Sequence, residues 1–273
     1  MPGTDVTSKE RLAGAFSAGR SESRALLMPF LVGGYPEERA FVEIARACGA
    51  AGADVLEIGI PFSDPIMDGP VIQEAANRVL IRRAPTASMI VLAGEAAAAS
   101  GVPAVAMTYY NLLYGMGLER FAAAVADAGL CGVIVPDLSV EESADWRKAC
   151  AAAGIASVFM ASVTSPDDRL RAIGEASDGF VYAASQLGVT GVRSEMSSRA
   201  RELVSRIRAA TDLPVAVGIG VSTPEHAGEV ASYADGVIVG SALVKRVGES
   251  KDPAAGAGEL VRALRKGIAA ANS

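Results

Sequence analysis

The chain contains few residues of the types that metal-dependent and covalent enzymes use. It has one histidine, three cysteines and five lysines among 273 residues. The single histidine, His226, follows Thr223 and Pro224 in a pattern typical of a helix start, so it offers neither a zinc site nor a Ser-His-Asp triad. No lysine lies at the end of a predicted strand, so no Schiff-base nucleophile stands out. We therefore expect carboxylates, tyrosines and backbone amides to carry any chemistry.

The chain also lacks basic runs, long apolar runs and an apolar N-terminal segment. Its net charge is −6, from 25 Lys and Arg against 31 Asp and Glu, which argues against nucleic acids and anionic membranes as partners. No stretch of about 18 apolar residues predicts a transmembrane helix, and residues 1–11 lack the apolar region of a signal peptide. Cys48, Cys131 and Cys150 are an odd number at scattered spacings, which favours buried, reduced thiols over disulfides or a metal site. We therefore expect a cytoplasmic protein.

The chain does show an alternation of strand and helix patterns, repeated eight times. Apolar runs begin near Leu26, Val55, Ala104, Gly132, Ser157, Phe180, Val215 and Gly236. Helical patterns lie between them at 37–50, 71–83, 118–128, 141–153, 167–176, 198–211 and 224–233, with an extra one at 87–100. Continuously apolar strands indicate a parallel sheet buried on both faces. The pattern therefore predicts one (β/α)8 TIM barrel over residues 1–273, with extra short helices and a helical or flexible segment at about 1–20. The alternative is an open doubly wound sheet, but Gly33-Gly34-Tyr35-Pro36 after the first strand is not its glycine-rich fingerprint.

Glycines concentrate after the last three predicted strands, near the loops in which a TIM barrel binds phosphate. The segments are Gly188-Val189-Thr190-Gly191, Gly218-Ile219-Gly220 and Gly240-Ser241-Ala242. Glycine lets backbone N–H groups approach an anion closely, and a helix that opens at Ser241 would direct its N-terminus at the anion. Glycine also ends strands for structural reasons alone, but that does not explain why the glycines concentrate in these loops. The pattern therefore predicts a phosphorylated substrate.

A carboxylate interrupts the second predicted strand. Alternation along the strand places Glu57 on the same face as Val55 and opposite Leu56. Burial inside a barrel is costly for a carboxylate unless it is paired or functional, and it raises the pKa towards the range of an acid/base catalyst. Asp64 and Asp68 follow in a loop punctuated by proline and glycine, where capping a helix is the alternative role. We therefore expect Glu57 to be catalytic, with Asp68 folding back over the same cavity.

Other polar and aromatic residues follow further strands and would lie on the same rim. They are Tyr109 and Asn111 after the third strand, Asp137 after the fourth, Tyr182 facing inwards on the sixth and Phe30 at the end of the first. For Asp137, capping a helix is an equally good interpretation. Together these residue types suit an extended substrate with an aromatic head and a phosphate tail.

Several of these segments resemble one known family. Residues 56–70, Leu-Glu-Ile-Gly-Ile-Pro-Phe-Ser-Asp-Pro-Ile-Met-Asp-Gly-Pro, resemble the signature of the tryptophan synthase alpha subunit family. So do 107–111, 135–138, Tyr182 with 188–191, 217–220 and 235–241, and the matches run from about Pro29 to Lys245. The resemblance implies a TIM barrel that cleaves indole-3-glycerol phosphate to indole and glyceraldehyde 3-phosphate in tryptophan biosynthesis.

The resemblance also implies a role for each site residue. Glu57 would protonate the indole ring carbon and take the proton of the glycerol hydroxyl, Asp68 would bind the indole N–H, and Tyr182 would orient Glu57. The implied substrate-binding residues are Phe30, Tyr109 and Thr190, and the implied phosphate-binding residues are Gly191, Gly220, Gly240 and Ser241. These roles agree with the residue inventory, because indole protonated on its ring carbon is itself an electron sink for retro-aldol cleavage.

The family works with a β subunit in a linear αββα complex, so PLP would belong to the β subunit and no cofactor is expected in this chain. Asp64, Asn111 and Leu112 would face that subunit. The family usually carries proline after Asn111, whereas this chain has Leu112, in an expected loop at 112–117 that the change would loosen. The polar segment 188–199 is expected to form a lid over the substrate, with an ordinary exposed loop as the alternative.

The sequence leaves three other functions open. A β-independent lyase that releases free indole is suggested by the 112–117 segment alone. A catalytically silent barrel that binds a phosphorylated metabolite is disfavoured by the joint presence of Glu57, Asp68 and Tyr182. The third is a different phosphosugar isomerase or aldolase on the same scaffold.

Overall fold

The structure, a computed structural model, describes residues 7–184, 193–218 and 220–271, without the side chains of 193–196. Within these residues, nine strands form one sheet. They are β1 Leu26–Val32, β2 Leu56–Gly59, β3 Ala104–Met107, β4 Gly132–Ile134, β5 Ala156–Val158, β6 Met160–Ser162, β7 Val181–Ala184, β8 Val215–Gly218 and β9 Gly236–Val239. All pairings are parallel, and the order is β5-β4-β3-β2-β1-β9-β8-β7-β6.

The two strands at the ends of this order are halves of one interrupted strand. β5 ends at Val158 and β6 begins at Met160, so only Phe159 separates them. The Phe159 carbonyl accepts a hydrogen bond from the Tyr182 N–H of β7, with an N···O distance of 3.0 Å. The chain itself therefore joins the two edges of the sheet, which closes into a barrel of eight strand positions. The predicted TIM barrel is confirmed, and the break at Phe159 is the one departure from the predicted set of strands.

Twelve α-helices are present in the described residues and surround or close the barrel. They are α1 Ser8–Ser21, α2 Glu38–Ala50, α3 Pro70–Leu80, α4 Thr86–Ser100, α5 Tyr110–Met116, α6 Leu118–Asp127, α7 Ala144–Ala153, α8 Asp167–Ala176, α9 Arg193–Ala210, α10 Pro224–Ala231, α11 Ser241–Glu249 and α12 Pro253–Ala271. A short 3-10 turn, Val140–Glu142, precedes α7, where one continuous helix is predicted. The α12 helix is absent from the predicted set.

Two segments that the sequence analysis treats as loops are helical. Residues 112–116 lie in α5, because Asp137 accepts the Tyr110 N–H at 2.8 Å from the loop after β4 and because Leu113 is buried. Residues 193–199 of the expected lid lie in α9, so this part is a helix and not a loop. The start of α9 was not predicted because this part is polar, although arginine, glutamate and methionine are good helix formers. Residues 188–192 lie outside the described residues.

Alternation along the strands divides their side chains between two apolar clusters. Val55 belongs to the cluster inside the barrel, whereas Leu56 belongs to the cluster between strands and helices, as predicted. Leu12 and Phe16 of α1 join the inner cluster, and Leu12 packs against Gly179 just before β7. Helix α1 therefore closes the N-terminal end of the barrel. The opposite end of the barrel, at the carboxyl ends of the strands, is where a TIM barrel carries its active site.

Two further expectations, the buried cysteines and the helix start at Thr223, are confirmed, and the one tryptophan of the chain is buried as well. All three cysteines are buried as free thiols. Trp146 packs edge-on against Phe121, with ring centroids 6.1 Å apart. Thr223 caps α10 by accepting the His226 N–H at 3.4 Å.

Among the described residues, no helix is both long and apolar enough to cross a membrane.

Candidate active site

The carboxyl ends of the strands surround a cavity of about 170 Å3. Seven of the predicted site residues line it: Phe30, Glu57, Asp68, Tyr182, Gly220, Gly240 and Ser241. They come from five different strands or the loops after them, so the barrel alone brings them together. The cavity therefore combines two carboxyl groups, two aromatic rings and glycine-rich backbone.

Glu57 is a carboxyl group inside an otherwise apolar barrel. It lies on β2 beside Phe30 of β1 and Val105 of β3, and 1% of it is exposed. Its Oε2 atom has no hydrogen-bond partner among the described residues. Burial, and then the charge of Asp68, raise the pKa of Glu57 to about 8. The carboxyl is therefore mainly protonated at neutral pH and is able to act as an acid.

Asp68 lies in the loop after β2, and a tyrosine holds that loop. Burial raises the pKa of Asp68 to about 6, and a hydrogen bond with Tyr109 opposes this rise. The Tyr109 hydroxyl oxygen accepts the Met67 N–H at 3.0 Å, and its ring stacks on Phe62 with centroids 5.3 Å apart. Because the oxygen accepts this N–H, its own O–H is directed to another acceptor, and Asp68 is beside it. Tyr109 thus lies behind Asp68, lining a smaller adjoining cavity.

Tyr182 points into the barrel from β7, as predicted. It belongs to the inner apolar cluster, and its register partner on β8 is Ala216. Gly218 makes room for the phenol, because a Cβ at that position would lie 2.5 Å from the Tyr182 hydroxyl oxygen. Burial and the nearby Glu57 and Asp68 charges raise the pKa of Tyr182 well above its usual value. The phenol therefore stays protonated and is available as a hydrogen-bond donor.

The glycine-rich part of the cavity has the features of an anion site. Gly220 has a φ of +75°, a left-handed conformation that glycine adopts without strain. Gly240 is the N-cap of α11, and Ser241 is its first residue, as predicted. None of the described residues that line the cavity is lysine or arginine. An anion here would be held by backbone N–H groups, the positive end of the α11 dipole and the Ser241 hydroxyl.

The other predicted residues lie away from this cavity or outside the described chain. Asp64 is exposed, and its carboxylate accepts the Ser63 hydroxyl at 2.5 Å. Asn111 is exposed on α5, and Leu112 is half-buried on the same helix. Thr190 and Gly191 lie outside the described residues.

Asp137, the remaining rim candidate, caps α5 and lines a neighbouring cavity rather than this one. Asp137 therefore acts at the N-terminus of a helix from another loop, and the helices that follow it in the sequence have Ser139 and Ser143 as their N-cap residues instead. In the part of the chain that the structure describes, no three His, Cys, Asp or Glu side chains are grouped as metal ligands.

Three methionines that line the cavity, Met67, Met107 and Met160, were not predicted from the sequence. Met107 is the last residue of β3, and Met160 is the register partner of Tyr182. The only available signal was the position of Met107 and Met160 at the ends of predicted strands, and Met67, in the loop after β2, had no such signal. The pairing of Met160 with the inward-facing Tyr182 depends on the break at Phe159, which the sequence pattern does not reveal.

Comparison with known proteins identifies the family. A sequence model described as tryptophan synthase alpha chain matches residues 16–271. The chain belongs to this family. The tryptophan synthase alpha chain of Streptomyces coelicolor is 47% identical over 253 residues, covering 93% of each chain. That of Nocardia farcinica is 43% identical over 267 residues, covering 97% of this chain and 96% of the relative. The family assignment therefore places the chain in tryptophan biosynthesis, as the alpha chain of a lyase.

Solved structures agree with the family assignment. A chain of Mycobacterium tuberculosis tryptophan synthase is 39% identical, with a TM-score of 0.86 and coverage of 94% of this chain and 98% of that one. Tryptophan synthase subunit alpha from Legionella pneumophila is 30% identical, with a TM-score of 0.87 and coverage of 95% and 98%. Since these relatives are parts of tryptophan synthase, the comparisons support the subunit role and give no support to a β-independent lyase.

Proposed function

We propose that this member of the tryptophan synthase alpha chain family cleaves indole-3-glycerol phosphate to indole and glyceraldehyde 3-phosphate with two carboxyl groups. The observation that carries the proposal is Glu57, a carboxyl that is 1% exposed and whose Oε2 atom lacks a partner among the described residues. A buried, unsatisfied polar group costs free energy, so a site that retains one beside a cavity has a use for it.

In the first step, Glu57 donates its proton to the indole ring carbon that carries the glycerol chain. The carboxyl holds that proton at neutral pH because its pKa is raised to about 8. Positive charge then develops at the ring nitrogen. Asp68, ionised above about pH 6, accepts a hydrogen bond from the ring N–H and stabilises this charge.

In the second step, the Glu57 carboxylate takes the proton of the glycerol hydroxyl next to the bond that breaks. The carbonyl of glyceraldehyde 3-phosphate forms as that carbon–carbon bond breaks, and its electron pair returns to the indole ring. Glu57 is then protonated again, so atoms and electrons balance between the substrate and this one side chain. The protonated Tyr182 hydroxyl orients Glu57 and the substrate between the steps.

The remaining proposed contacts fix the two ends of the substrate. Phe30 packs against the indole ring, beside Glu57 in the strand register, and Tyr109 acts on the ring through Asp68. The phosphate is held by the backbone of Gly220 and Gly240 and by Ser241. Thr190 and Gly191, from the glycine-rich segment after β7, complete the proposed substrate and phosphate contacts.

We also propose a β subunit as partner, in a linear αββα complex that carries PLP only in the β subunits. The proposed contact surface is the loop after β2 together with α5, which includes Asp64, Asn111 and Leu112. It is supported by two exposed apolar side chains in these segments, Ile66 at 75% and Tyr114 at 70%. The compartment we propose is the cytoplasm, since three buried free thiols suit a reducing environment.

The test is release of indole from indole-3-glycerol phosphate by the purified chain, with and without a cognate β subunit. We expect slow release alone and a large gain when the β subunit is added. Glu57→Gln should lower the rate by about 10²–10⁴-fold, because general acid/base catalysis is lost. The matched control is Glu95→Gln, which changes an exposed glutamate of α4. Absence of indole in both conditions would refute the proposed reaction, and fast release unaffected by the β subunit would refute the partner.

A further inference from the structure

Three methionines are among the side chains of the catalytic cavity to which the proposed mechanism gives no role. Met67, Met107 and Met160 line this cavity together with Glu57 and Asp68. They are three of the eight methionines in the chain. Each methionine has three rotatable side-chain bonds, so these thioether side chains adapt their shape more readily than the branched Ile72 and Ile238, which line the same cavity.

Two of these methionines separate the catalytic cavity from a second one. Met67, Met160 and Ala184 line both the cavity of about 170 Å3 and a neighbouring cavity of about 280 Å3. The second cavity is lined by the buried apolar residues Phe159 and Ala161 and by polar residues that include Ser162, Ser165 and Arg169. The two cavities therefore adjoin, and Met67 and Met160, together with Ala184, form the partition between them.

The backbone of the partition is fixed, whereas its side chains have room to move. The Met67 N–H is held by the Tyr109 hydroxyl oxygen at 3.0 Å, but 48% of Met67 is exposed. Met160 is held in β6 opposite Tyr182, and its side chain is only partly buried. Rotation of either side chain would enlarge the catalytic cavity towards its neighbour without a change in the backbone.

We propose that the indole end of this site accepts ring-substituted indole-3-glycerol phosphates, with the substituent displacing the methionine partition towards the second cavity. The inference rests on the proposed function, because the same Glu57 and Asp68 chemistry acts on the substituted ring. In a rigid apolar pocket, one extra methylene-sized group costs about 10–200-fold in kcat/KM. A partition of methionine side chains lowers that penalty, and their sulfur atoms make favourable contacts with the aromatic ring.

The test compares unsubstituted indole-3-glycerol phosphate with each of its monochlorinated ring analogues. The full chain is used together with the β subunit, and kcat/KM is measured from release of glyceraldehyde 3-phosphate. We expect at least one chlorinated substrate to react within about tenfold of the unsubstituted one, below the range for a rigid pocket. Met67→Val and Met160→Ile introduce side chains that are stiff at χ1, and at least one of them should lower the ratio of chlorinated to unsubstituted kcat/KM by about tenfold or more.

The control variant is Met89→Leu, because Met89 is buried in the helical layer and lines neither cavity. Its ratio should equal that of the unchanged chain. Each ratio is normalised to the same variant's kcat/KM for the unsubstituted substrate, so a general loss of activity does not change the ratio. If Met67→Val or Met160→Ile fails to fold, Met67→Leu or Met160→Leu is measured in its place. The inference is overturned if every chlorinated substrate is more than about tenfold poorer in the unchanged chain, or if both stiff variants keep the tolerance. Failure to cleave the unsubstituted substrate would instead refute the proposed function.

Discussion

Among single residues, the chemistry depends on Glu57 and Asp68, whose pKa values burial raises to about 8 and about 6. The proposed mechanism needs Glu57 protonated and Asp68 ionised. We therefore expect kcat/KM to rise with pH through about 6, to be highest between about 6 and 8, and to fall through about 8. Steady-state kinetics across this range measures the two limbs. A profile that keeps rising above pH 8 would contradict the role of Glu57 as the acid.

Replacing Tyr109 should shift the low-pH limb of this profile and leave the high-pH limb in place. Its hydrogen bond lowers the pKa of Asp68, so Tyr109→Phe should raise that pKa and shift the low-pH limb upwards by about one unit. The high-pH limb, which belongs to Glu57, should stay in place. The pH dependence of kcat/KM for the variant is the measurement, and Tyr114→Phe, on an exposed tyrosine of α5, is the control. An equal shift of both limbs would indicate a general structural change instead.

The contrast between these residues shows what local sequence reveals about a site. Glu57 was predictable because a carboxylate stands out in an apolar strand. The environment of Asp68 was not, since its neighbour Tyr109 is 41 positions away in the sequence and reaches it only through the barrel. The hydrogen bond from the Met67 N–H to Tyr109 is likewise a contact between two loops, which no local pattern predicts.

Among secondary-structure elements, α5 shows how a helix depends on a distant cap. Asp137 accepts the Tyr110 N–H at 2.8 Å across 27 positions. Asp137→Ala should lower the free energy of unfolding by about 1 kcal/mol, the usual cost of a lost N-terminal cap. Asp137→Asn keeps an acceptor oxygen and should lose less. Denaturant unfolding of both variants distinguishes the cap from a general effect of changing this loop, and equal losses would argue against the cap.

The start of α10 was predictable from a local cap, and the start of α5 was not. In α10 the Thr223 hydroxyl accepts the His226 N–H three positions later, so the start of this helix is visible in the sequence. Leu112 and its neighbours in α5 contain no such signal, and the segment was therefore interpreted as a loop. The first turns of α9 were missed for a related reason, because their polar residues show no apolar face that marks a helix.

In the whole molecule, α1 closes the end of the barrel opposite the site. Leu12 is 0% exposed in the inner apolar cluster. Leu12→Ala should therefore lower the free energy of unfolding by about 2–5 kcal/mol, through lost burial and the cavity left behind. The exposed Ile81, replaced by alanine, is the matched control and should change stability by less than about 0.5 kcal/mol. Equal denaturant midpoints for the two variants would show that α1 does not support the barrel.

The sequence by itself determined the barrel, the face on which Glu57 lies, the inward direction of Tyr182 and the glycine-rich loops. These features depend on the alternation of side chains along each strand and on the order of strands and helices. Both are visible as patterns among residues that are close in the sequence. The tertiary structure alone decided the cap that Asp137 gives to α5, the contact of Tyr109 with Asp68 and the methionine partition between two cavities. These contacts join residues from different loops and strands, and they exist only because closure of the barrel brings the carboxyl ends of all its strands together.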